Sequence, residues 1–201
     1  KRAIDVLGAG IGLAVLSPVA GVVAGLVRLK LGRPVLFRQE RPGLNGEVFE
    51  LVKFRTMREP DVARGLVTNE QRMTSFGSWL RSSSLDELPS LWNVLRGDMS
   101  LVGPRPLLVS YLPLYSSEQA RRHEVRPGLT GLAQVRGRNA LDWETRFTLD
   151  VEYVDSRSLP LDLSILCQTA VKVLRREGVV SEGHVVGAHF SRSTEASADR
   201  G

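Results

Sequence analysis

The sequence predicts an α/β (α+β) fold that is mostly helical, with a small antiparallel β-hairpin and an N-terminal re-entrant membrane helix broken at Ser17-Pro18. Three observations lead to this prediction. An apolar run of 22 residues without a charged side chain extends from residue 6 to residue 27. Two short apolar runs flank a turn-rich segment at residues 41–46, which favours a hairpin. Most of the remaining chain is patterned as short helices.

Length and composition fit one globular domain. The chain has 201 residues, of which 42% are hydrophobic, and this excludes a polytopic membrane protein and a disordered chain. Its one cysteine, Cys167, excludes an internal disulfide. The first 60 residues hold ten basic and five acidic side chains, so they carry the whole net charge of +5. The excess positive charge therefore lies beside the apolar run.

The apolar run is compatible with more than one topology. As a helix it would be about 33 Å long at about 1.5 Å per residue, which is enough to cross a bilayer. Pro18 has no N–H and its ring would clash with the Ala14 carbonyl, so we expect a kink there, with the Ser17 hydroxyl bonding a freed carbonyl. Basic residues flank both ends, which favours a segment over residues 1–33 that returns to the same face. A straight spanning anchor and a signal peptide are the alternatives.

The body of the chain is predicted as one domain over residues 34–177, followed by a mobile tail over residues 178–201 that lacks periodicity. Apolar residues spaced three or four apart in the last helix are typical of a helix in a membrane interface, and also of one packed on a protein core. Helices are predicted over residues 76–80, 85–95, 107–123, 141–153 and 161–176, and strands over residues 35–37, 48–54 and 132–135.

The adjacent carboxylates Asp86 and Glu87 are the first chemical candidates. Ser84-Leu85-Asp86-Glu87 has the form of a capping box with Ser84 as the N-cap, which places both carboxylates in the first turn of a helix. The helix dipole favours ionised carboxylates there. Such groups bind a hard cation such as Mg²⁺ or attack an electrophilic phosphorus. Acidic residues are also common in first turns, so a purely structural role is the alternative.

Downstream arginines and glycines suggest phosphate binding. In Gly103-Pro104-Arg105-Pro106 the prolines stiffen the backbone, so Arg105 loses little entropy when it binds an anion. The stretch 126–131 leads to Arg136 and Arg138. Its glycines would let backbone N–H groups approach a ligand, while the arginines supply forked donors. A solvated turn is the alternative for each segment.

Lys53 and Arg55 place two more cations on one face of a predicted strand end, where a solvated face is the alternative. Neither a His-Cys metal pattern nor a basic and aromatic RNA signature is present, so we expect no nucleic acid as a partner. The residues together support a substrate with phosphates that is processed at a membrane surface.

These segments resemble the monotopic phosphoglycosyl transferases, also called bacterial sugar transferases. The resemblance runs in order from residue 1 to about residue 176 and is most specific at residues 80–107. It implies transfer of a sugar 1-phosphate from a UDP-sugar to a polyprenyl phosphate such as undecaprenyl phosphate, with release of UMP, as the first membrane step of glycoconjugate biosynthesis. The matching segments are residues 1–5, Ser17-Pro18, KFRTM (53–57), LRSSSLDELPSLWNVLRGDMSLVGPRPL (80–107), RPGLTGLAQVRGRN (126–139) and LDLSIL (161–166).

The resemblance also implies a ping-pong mechanism. Asp86 would attack the β-phosphorus and form a covalent phosphosugar intermediate. Glu87 would assist as a metal ligand or as the base for the incoming polyprenyl phosphate. The implied cofactor is Mg²⁺, with Asp86 and Glu87 as its ligands. The phosphate-binding candidates are Arg81, Arg105, Arg136, Arg138, Lys53 and Arg55.

The expected location is the bacterial inner membrane, with the catalytic domain on the cytoplasmic face. The expected partners are a UDP-sugar, a polyprenyl phosphate and membrane lipid, and a homodimer is left open. The alternative function is a non-enzymatic, membrane-anchored module that binds anionic lipid or a nucleotide.

Overall fold

The computed structural model describes residues 1–137, 141–175 and 190. Within them the chain is mostly helical, as predicted. The helices are α1 (Arg2–Lys30), α2 (Asn69–Arg72), α3 (Ser75–Ser82), α4 (Ser90–Arg96), α5 (Ser117–Ala120), α6 (Leu132–Arg136), α7 (Trp143–Ser156) and α8 (Leu159–Arg175). The strands are β1 (Leu36–Pro42), β2 (Val48–Phe54), β3 (Ser100–Val102) and β4 (Gly128–Thr130).

The N-terminal segment is a single helix with Pro18 inside it. The Ser17 hydroxyl donates to the Ala14 carbonyl at 2.8 Å, which is the acceptor that Pro18 leaves without an N–H partner. The chain is helical through this point, so two separate helices are not seen, and a kink at Ser17-Pro18 stays a prediction. Helix α1 is long and apolar enough to cross a membrane. A re-entrant path for it stays a prediction.

Both ends of α1 pack on the same globular body. Near its start, Ala9 is fully buried against residues of α4 and β2. Near its end, Val27 is fully buried beside Phe54 and Leu80. Between these two contacts the helix shows apolar side chains to the outside, including Ile11, Val15 and Val22, which are 63%, 68% and 65% exposed. Two buried ends and an exposed apolar middle describe a helix that is attached to the protein twice.

A network of polar side chains fixes the first turn of α1. Buried Asp5 accepts hydrogen bonds from the Ser100 hydroxyl at 2.9 Å and from the Leu101 N–H at 3.0 Å. Lys1 Nζ lies 2.7 Å from Asp162 Oδ2, and the Tyr153 hydroxyl lies 2.7 Å from the other oxygen of Asp162. We call Lys1, Asp5, Ser100, Tyr153 and Asp162 the N-terminal polar cluster. Its members come from α1, β3, α7 and α8, so it ties four elements together.

The predicted hairpin is confirmed. Strands β1 and β2 are antiparallel, with Leu36 opposite Phe54 and Pro42 opposite Val48. The tight turn between them contains Asn45 at a positive φ of 54°, a conformation that asparagine tolerates well. Alternation along the paired strands places Arg41 and Lys53 on the same face of the hairpin, because their cross-strand partners are Phe49 and Phe37.

A second, parallel strand pair was not predicted. Strand β3 lies beside β4, with Ser100 opposite Gly128 and Val102 opposite Thr130. The predicted strand at residues 132–135 is wrong, because those residues belong to helix α6.

The glycines of this region bring backbone to backbone. A Cβ on Gly128 would lie 2.1 Å from the Gly103 nitrogen, and one on Gly131 would lie 2.1 Å from the Gly103 carbonyl oxygen. Gly128 and Gly131 therefore have a structural role, and a phosphate cradle stays a prediction. They let the loop after β3 cross β4 closely.

The two late helices, α7 and α8, are confirmed. Ile165 and Tyr153 are buried in one core cluster with Val102 and Leu132. Leu163 of the predicted apolar stripe is 57% exposed, so the stripe of α8 is only partly used by the core. Its placement in a membrane interface and the domain limits at residues 33 and 177 stay predictions. The predicted tail lies outside the described residues, apart from Phe190, which stacks on Tyr115.

Candidate active site

The two candidate carboxylates lie in a single 3₁₀ turn, Leu85–Glu87, between α3 and α4. Ser84 precedes the turn with a positive φ of 57°, and its side chain makes no capping hydrogen bond. The predicted capping box at Ser84 is therefore wrong, since a left-handed residue cannot present its hydroxyl as an N-cap does. The two carboxylates still lie next to each other, at a tight bend rather than in the first turn of an α-helix.

Glu87 is held by two cations. Lys53 Nζ lies 2.5 Å from Glu87 Oε1, and Arg105 Nη2 lies 3.0 Å from the same oxygen. Lys53 comes from the end of β2 and Arg105 from the loop after β3. Burial alone would raise the pKa of Glu87, but the charges of Lys53 and Arg105 outweigh it and lower the pKa to about 2. Glu87 is thus a fixed carboxylate ion at neutral pH.

Asp86 is placed differently. It is 9% exposed, and within residues 1–137 and 141–175 no hydrogen bond or ion pair holds its carboxylate. Burial first, and the charge of Glu87 second, raise its pKa to about 6, although Lys53 and Arg105 act in the opposite direction. A buried carboxylate with a perturbed pKa and no partner is a candidate for reaction chemistry.

Arg81 stands beside Asp86 at the end of α3. Its Nε donates to the Thr56 hydroxyl at 3.0 Å, which fixes the direction of the guanidinium. Burial lowers the pKa of Arg81, while the charge of Asp86 raises it. Arg105 is 45% exposed, so a ligand can reach it. The Asp86–Glu87 dyad therefore lies near two arginines, one from α3 and one from the loop after β3.

A buried ion pair supports Arg105 from behind. Arg122 donates to the Arg105 carbonyl at 2.7 Å and lies 2.7 Å from Asp150 Oδ2, with both side chains almost fully buried. Burial raises the pKa of Asp150, whereas the charge of Arg122 lowers it. The pair anchors the backbone of the Gly-Pro-Arg-Pro loop against α7.

The site fits Mg²⁺ by the chemistry of its donors. Among residues 1–137 and 141–175 no group of three or more His, Cys, Asp or Glu side chains forms a metal cage. Magnesium is commonly held by one or two carboxylates together with substrate phosphates, so such a cage is not required. The free carboxylate of Asp86 and the second oxygen of Glu87 would supply these ligands.

Comparison with known families identifies the family of this chain. Residues 1–176 match the family model described as bacterial sugar transferase. The chain belongs to the bacterial sugar transferase family. The predicted resemblance is confirmed, and the protein is a transferase. The alternative of a non-enzymatic binding module is not retained.

Three relatives illustrate the family. The chain is 52% identical over 198 residues to the uncharacterized sugar transferase EpsL of Bacillus subtilis, covering 98% of both proteins. It is 44% identical over 186 residues to the UDP-glucose:undecaprenyl-phosphate glucose-1-phosphate transferase of Caulobacter vibrioides, covering 87% of this chain and 69% of the relative. It is 40% identical over 196 residues to the exopolysaccharide production protein ExoY of Rhizobium meliloti, covering 89% and 87%.

Among the other predicted site residues of this sugar transferase, Arg55 binds groups away from the dyad. Arg55 is 4% exposed and donates to the carbonyls of Leu31 and Arg33 and to Glu59, so it secures the chain after α1. Lys53 and Arg55 bind different partners, because Lys53 contacts Glu87 whereas Arg55 contacts Glu59 and the Arg33 carbonyl. Arg136 is exposed at the end of α6. Arg138 lies outside the described residues.

Two features of the sugar transferase site escaped the sequence analysis. Arg41 lines the same cleft as Lys53, Glu87 and Arg105. The hairpin register was the signal that would have found it, because alternation places Arg41 on the face that carries Lys53. The Arg122–Asp150 pair joins residues 28 positions apart, and no local pattern announces it.

Proposed function

We propose that this protein transfers a sugar 1-phosphate from a UDP-sugar to a polyprenyl phosphate, with release of UMP, through a covalent phosphosugar on Asp86. The proposal rests on the difference in pairing between the two carboxylates, Asp86 and Glu87. Glu87 is neutralised by Lys53 and Arg105, whereas the Asp86 carboxylate has no partner within the described part of the chain. A carboxylate that is available and flanked by cations suits attack on a phosphorus.

The names of relatives support the two substrates. The Caulobacter relative is named for UDP-glucose and undecaprenyl phosphate. A nucleotide diphosphate sugar and a polyprenyl phosphate both present phosphate groups to the same site. The match to the Caulobacter relative covers 87% of this chain, so we extend the reaction class, and not the sugar, to this chain.

In the first half-reaction an Asp86 oxygen attacks the β-phosphorus of the donor, and the bridging oxygen leaves with UMP. Arg81 and Arg105, whose charges both act on Asp86, offset the phosphate charge. Glu87 keeps Lys53 and Arg105 in place, and its lowered pKa makes it a weak base, so we assign it an orienting role and a share in binding the cation. Mg²⁺, when bound by Asp86 and Glu87, would neutralise the diphosphate and stabilise the departing UMP.

In the second half-reaction the polyprenyl phosphate attacks the phosphorus held on Asp86. A phosphate monoester is largely dianionic at neutral pH, so its oxygen needs no strong base to become a nucleophile. The product is a polyprenyl diphosphate sugar, and the Asp86 carboxylate is restored.

We also propose that α1 dips into the bilayer from the cytoplasmic face of the inner membrane and returns to that face. This is supported by the burial of Ala9 and Val27 on one globular body, because a helix that crosses the bilayer would carry one end away from the body. The basic residues Arg28 and Lys30 would meet an anionic leaflet at the end of the helix, whereas Lys1 and Arg2 bind the protein body. A homodimer stays a prediction.

The reaction is tested with purified protein in detergent, UDP-sugars and Mg²⁺, in the absence of a lipid acceptor. We expect stoichiometric release of UMP and a phosphosugar adduct that peptide mass spectrometry places on Asp86. The control variant is Asp155→Asn, which changes an aspartate that is 55% exposed. Release of UMP by Asp86→Asn at the wild-type rate would sink the mechanism.

The topology is tested separately by labelling single cysteines placed at residue 3 and residue 29 in sealed vesicles of known orientation, with Cys167 replaced by serine. We expect both positions to react from the same side in the wild-type sequence. Pro18→Leu should shift the first position toward the opposite side, because it restores an uninterrupted hydrogen-bond ladder. Labelling of the two wild-type positions from opposite sides contradicts the re-entrant path.

A further inference from the structure

Arg41 is the charged residue of the cleft that the mechanism above does not use. It is the sixth residue of β1, and alternation places it on the hairpin face of Lys53. Its side chain lines the cleft together with Lys53, Glu87 and Arg105. The guanidinium thus reaches the site from strand β1, on the side of Arg105.

The charge of Arg41 is not compensated by the protein. Its Nη2 donates to the neutral Gln39 Oε1 at 2.5 Å, while its Nε–H is buried without an acceptor. No carboxylate of the described residues lies within ion-pair distance of it. Burial, and then the charge of Arg105, lowers the pKa of Arg41 to about 10. A partly buried cation without a counter-ion is unfavourable until an anion binds beside it.

The charges that line the cleft fit a phosphate monoester. Arg41, Lys53 and Arg105 face Glu87 as the one carboxylate among the lining residues, which leaves two positive charges in excess. A phosphate monoester carries about −1.5 to −2 at neutral pH. Glu87 is already paired within the cleft. The two remaining positive charges therefore match the charge of one bound phosphate group.

The stereochemistry of the proposed reaction calls for one such phosphate site. In an in-line displacement the entering and leaving oxygens lie on opposite sides of the phosphorus. When Asp86 forms its bond, the bridging oxygen leaves with its electron pair on UMP. When the adduct is resolved, a polyprenyl phosphate oxygen forms the new bond and Asp86 takes back the electron pair. Both phosphates therefore occupy the position opposite Asp86, one after the other.

We propose that Arg41, acting with Arg105, is the phosphate subsite that UMP vacates and the polyprenyl phosphate then fills. This inference rests on the proposed function. Arg41 would contribute a forked donor to whichever phosphate is bonded to the reacting phosphorus. Its place in the cleft with Arg105 suits a phosphate that is bonded to the reacting phosphorus.

The test compares wild type with Arg41→Gln, Arg41→Lys and the control Arg38→Gln, which changes an exposed arginine of the same strand. Two arms distinguish the two sources of phosphate. The donor arm measures adduct formation from a UDP-sugar and its inhibition by UMP. The acceptor arm measures the KM for undecaprenyl phosphate when the preformed adduct is consumed. Thermal unfolding checks that each variant is folded.

We expect Arg41→Gln to raise the UMP inhibition constant and the acceptor KM, each by roughly 10- to 100-fold. Arg41→Lys should recover part of both, since it keeps the charge and loses the fork. An effect in one arm alone overturns the shared subsite, and no effect in either arm overturns the inference entirely. If Arg41→Gln does not fold, Arg41→Lys decides by the same two arms. Wild-type protein that forms no adduct with any UDP-sugar contradicts the proposed function instead.

Discussion

The N-terminal polar cluster and the candidate active site are both buried or partly buried, yet they differ in how completely their groups are paired. In the N-terminal polar cluster Asp5 accepts from Ser100 and Leu101, and Asp162 is shared by Lys1 and Tyr153. In the active site the Asp86 carboxylate has no partner in the described residues, and Arg41 has no counter-ion there.

This difference distinguishes groups that stabilise the fold from groups that are left unpaired until a ligand binds. A buried polar group that is satisfied contributes to stability, and removing its partner costs the full desolvation penalty of the group left behind. An unsatisfied group costs stability until a ligand binds. Substitutions in the two clusters should therefore have opposite signatures, one in unfolding and one in catalysis.

The largest effect is expected for Asp86→Asn. Turnover should fall by roughly 10³-fold or more, because the nucleophile is removed. The free energy of unfolding should stay within about 0.5 kcal/mol of wild type or rise, since an unpaired carboxylate beside Glu87 is lost. UMP release and thermal unfolding in detergent measure the two quantities. A strongly destabilised but active variant would break the comparison.

The opposite signature is expected for Asp5→Ala. It leaves the buried Ser100 hydroxyl and the Leu101 N–H without their acceptor, so we expect a loss of about 2–4 kcal/mol in the free energy of unfolding. The KM for the donor should change little in the protein that remains folded. Chemical denaturation and initial rates, taken on the same preparation, test both statements. Asp61→Asn in an exposed turn is the matched control.

Two arginines that were both predicted to bind phosphate should differ in the same way. Arg55→Gln removes donors from the carbonyls of Leu31 and Arg33, and we expect it to cost about 2–3 kcal/mol of stability with an unchanged donor KM. Arg105→Gln should lower kcat/KM by roughly 10- to 100-fold with a loss of stability below about 1 kcal/mol, because its side chain is half exposed. Equal effects of the two variants on both quantities would contradict the separation.

How much of the fold could be predicted depends on how local each signal is. The hairpin follows from its turn residues, and helices α7 and α8 follow from periodicity. All three elements were predicted. The capping box was predicted at Ser84 but is found at Thr68 and Gln71, and again at Ser116 and Gln119. The local pattern is the same, and the left-handed conformation of Ser84 is what the sequence could not show.

For the candidate site, too, what could be predicted depends on how local the signal is. Asp86, Glu87 and Arg105 lie in one motif and were found from it. Arg55 was predicted to bind phosphate, but its guanidinium donates to the carbonyls of Leu31 and Arg33, which no local pattern indicates. The support of Arg105 by Arg122 and Asp150 depends on contacts between segments far apart in the sequence, which patterns of three or four residues cannot reveal.

His123 shows that an unpaired buried atom does not always mark a ligand site. Its Nδ1 lies 3.2 Å from the Gly43 carbonyl oxygen, which can only accept, so the proton is on Nδ1 and the buried Nε2 has no partner among the described residues. Burial, and then the charge of Arg122, lowers the pKa of His123 from 6.5 to about 4. The ring packs beside Tyr115 and contributes to the packing of the domain.

The smallest effect is expected for His123→Phe. Between about pH 6.5 and pH 4 the unfolded chain binds a proton that the folded ring resists, so the stability of the wild type should fall as the pH is lowered through this window. The phenylalanine variant should lose about 1–2 kcal/mol less over the same window, a figure that allows for the partial exposure of the ring. Urea unfolding at pH 7 and pH 4.5 measures the difference, and the donor KM should be unchanged. A raised donor KM would place His123 with the ligand-binding groups, whereas equal acid sensitivity of the two proteins would show that its unpaired nitrogen has no energetic consequence.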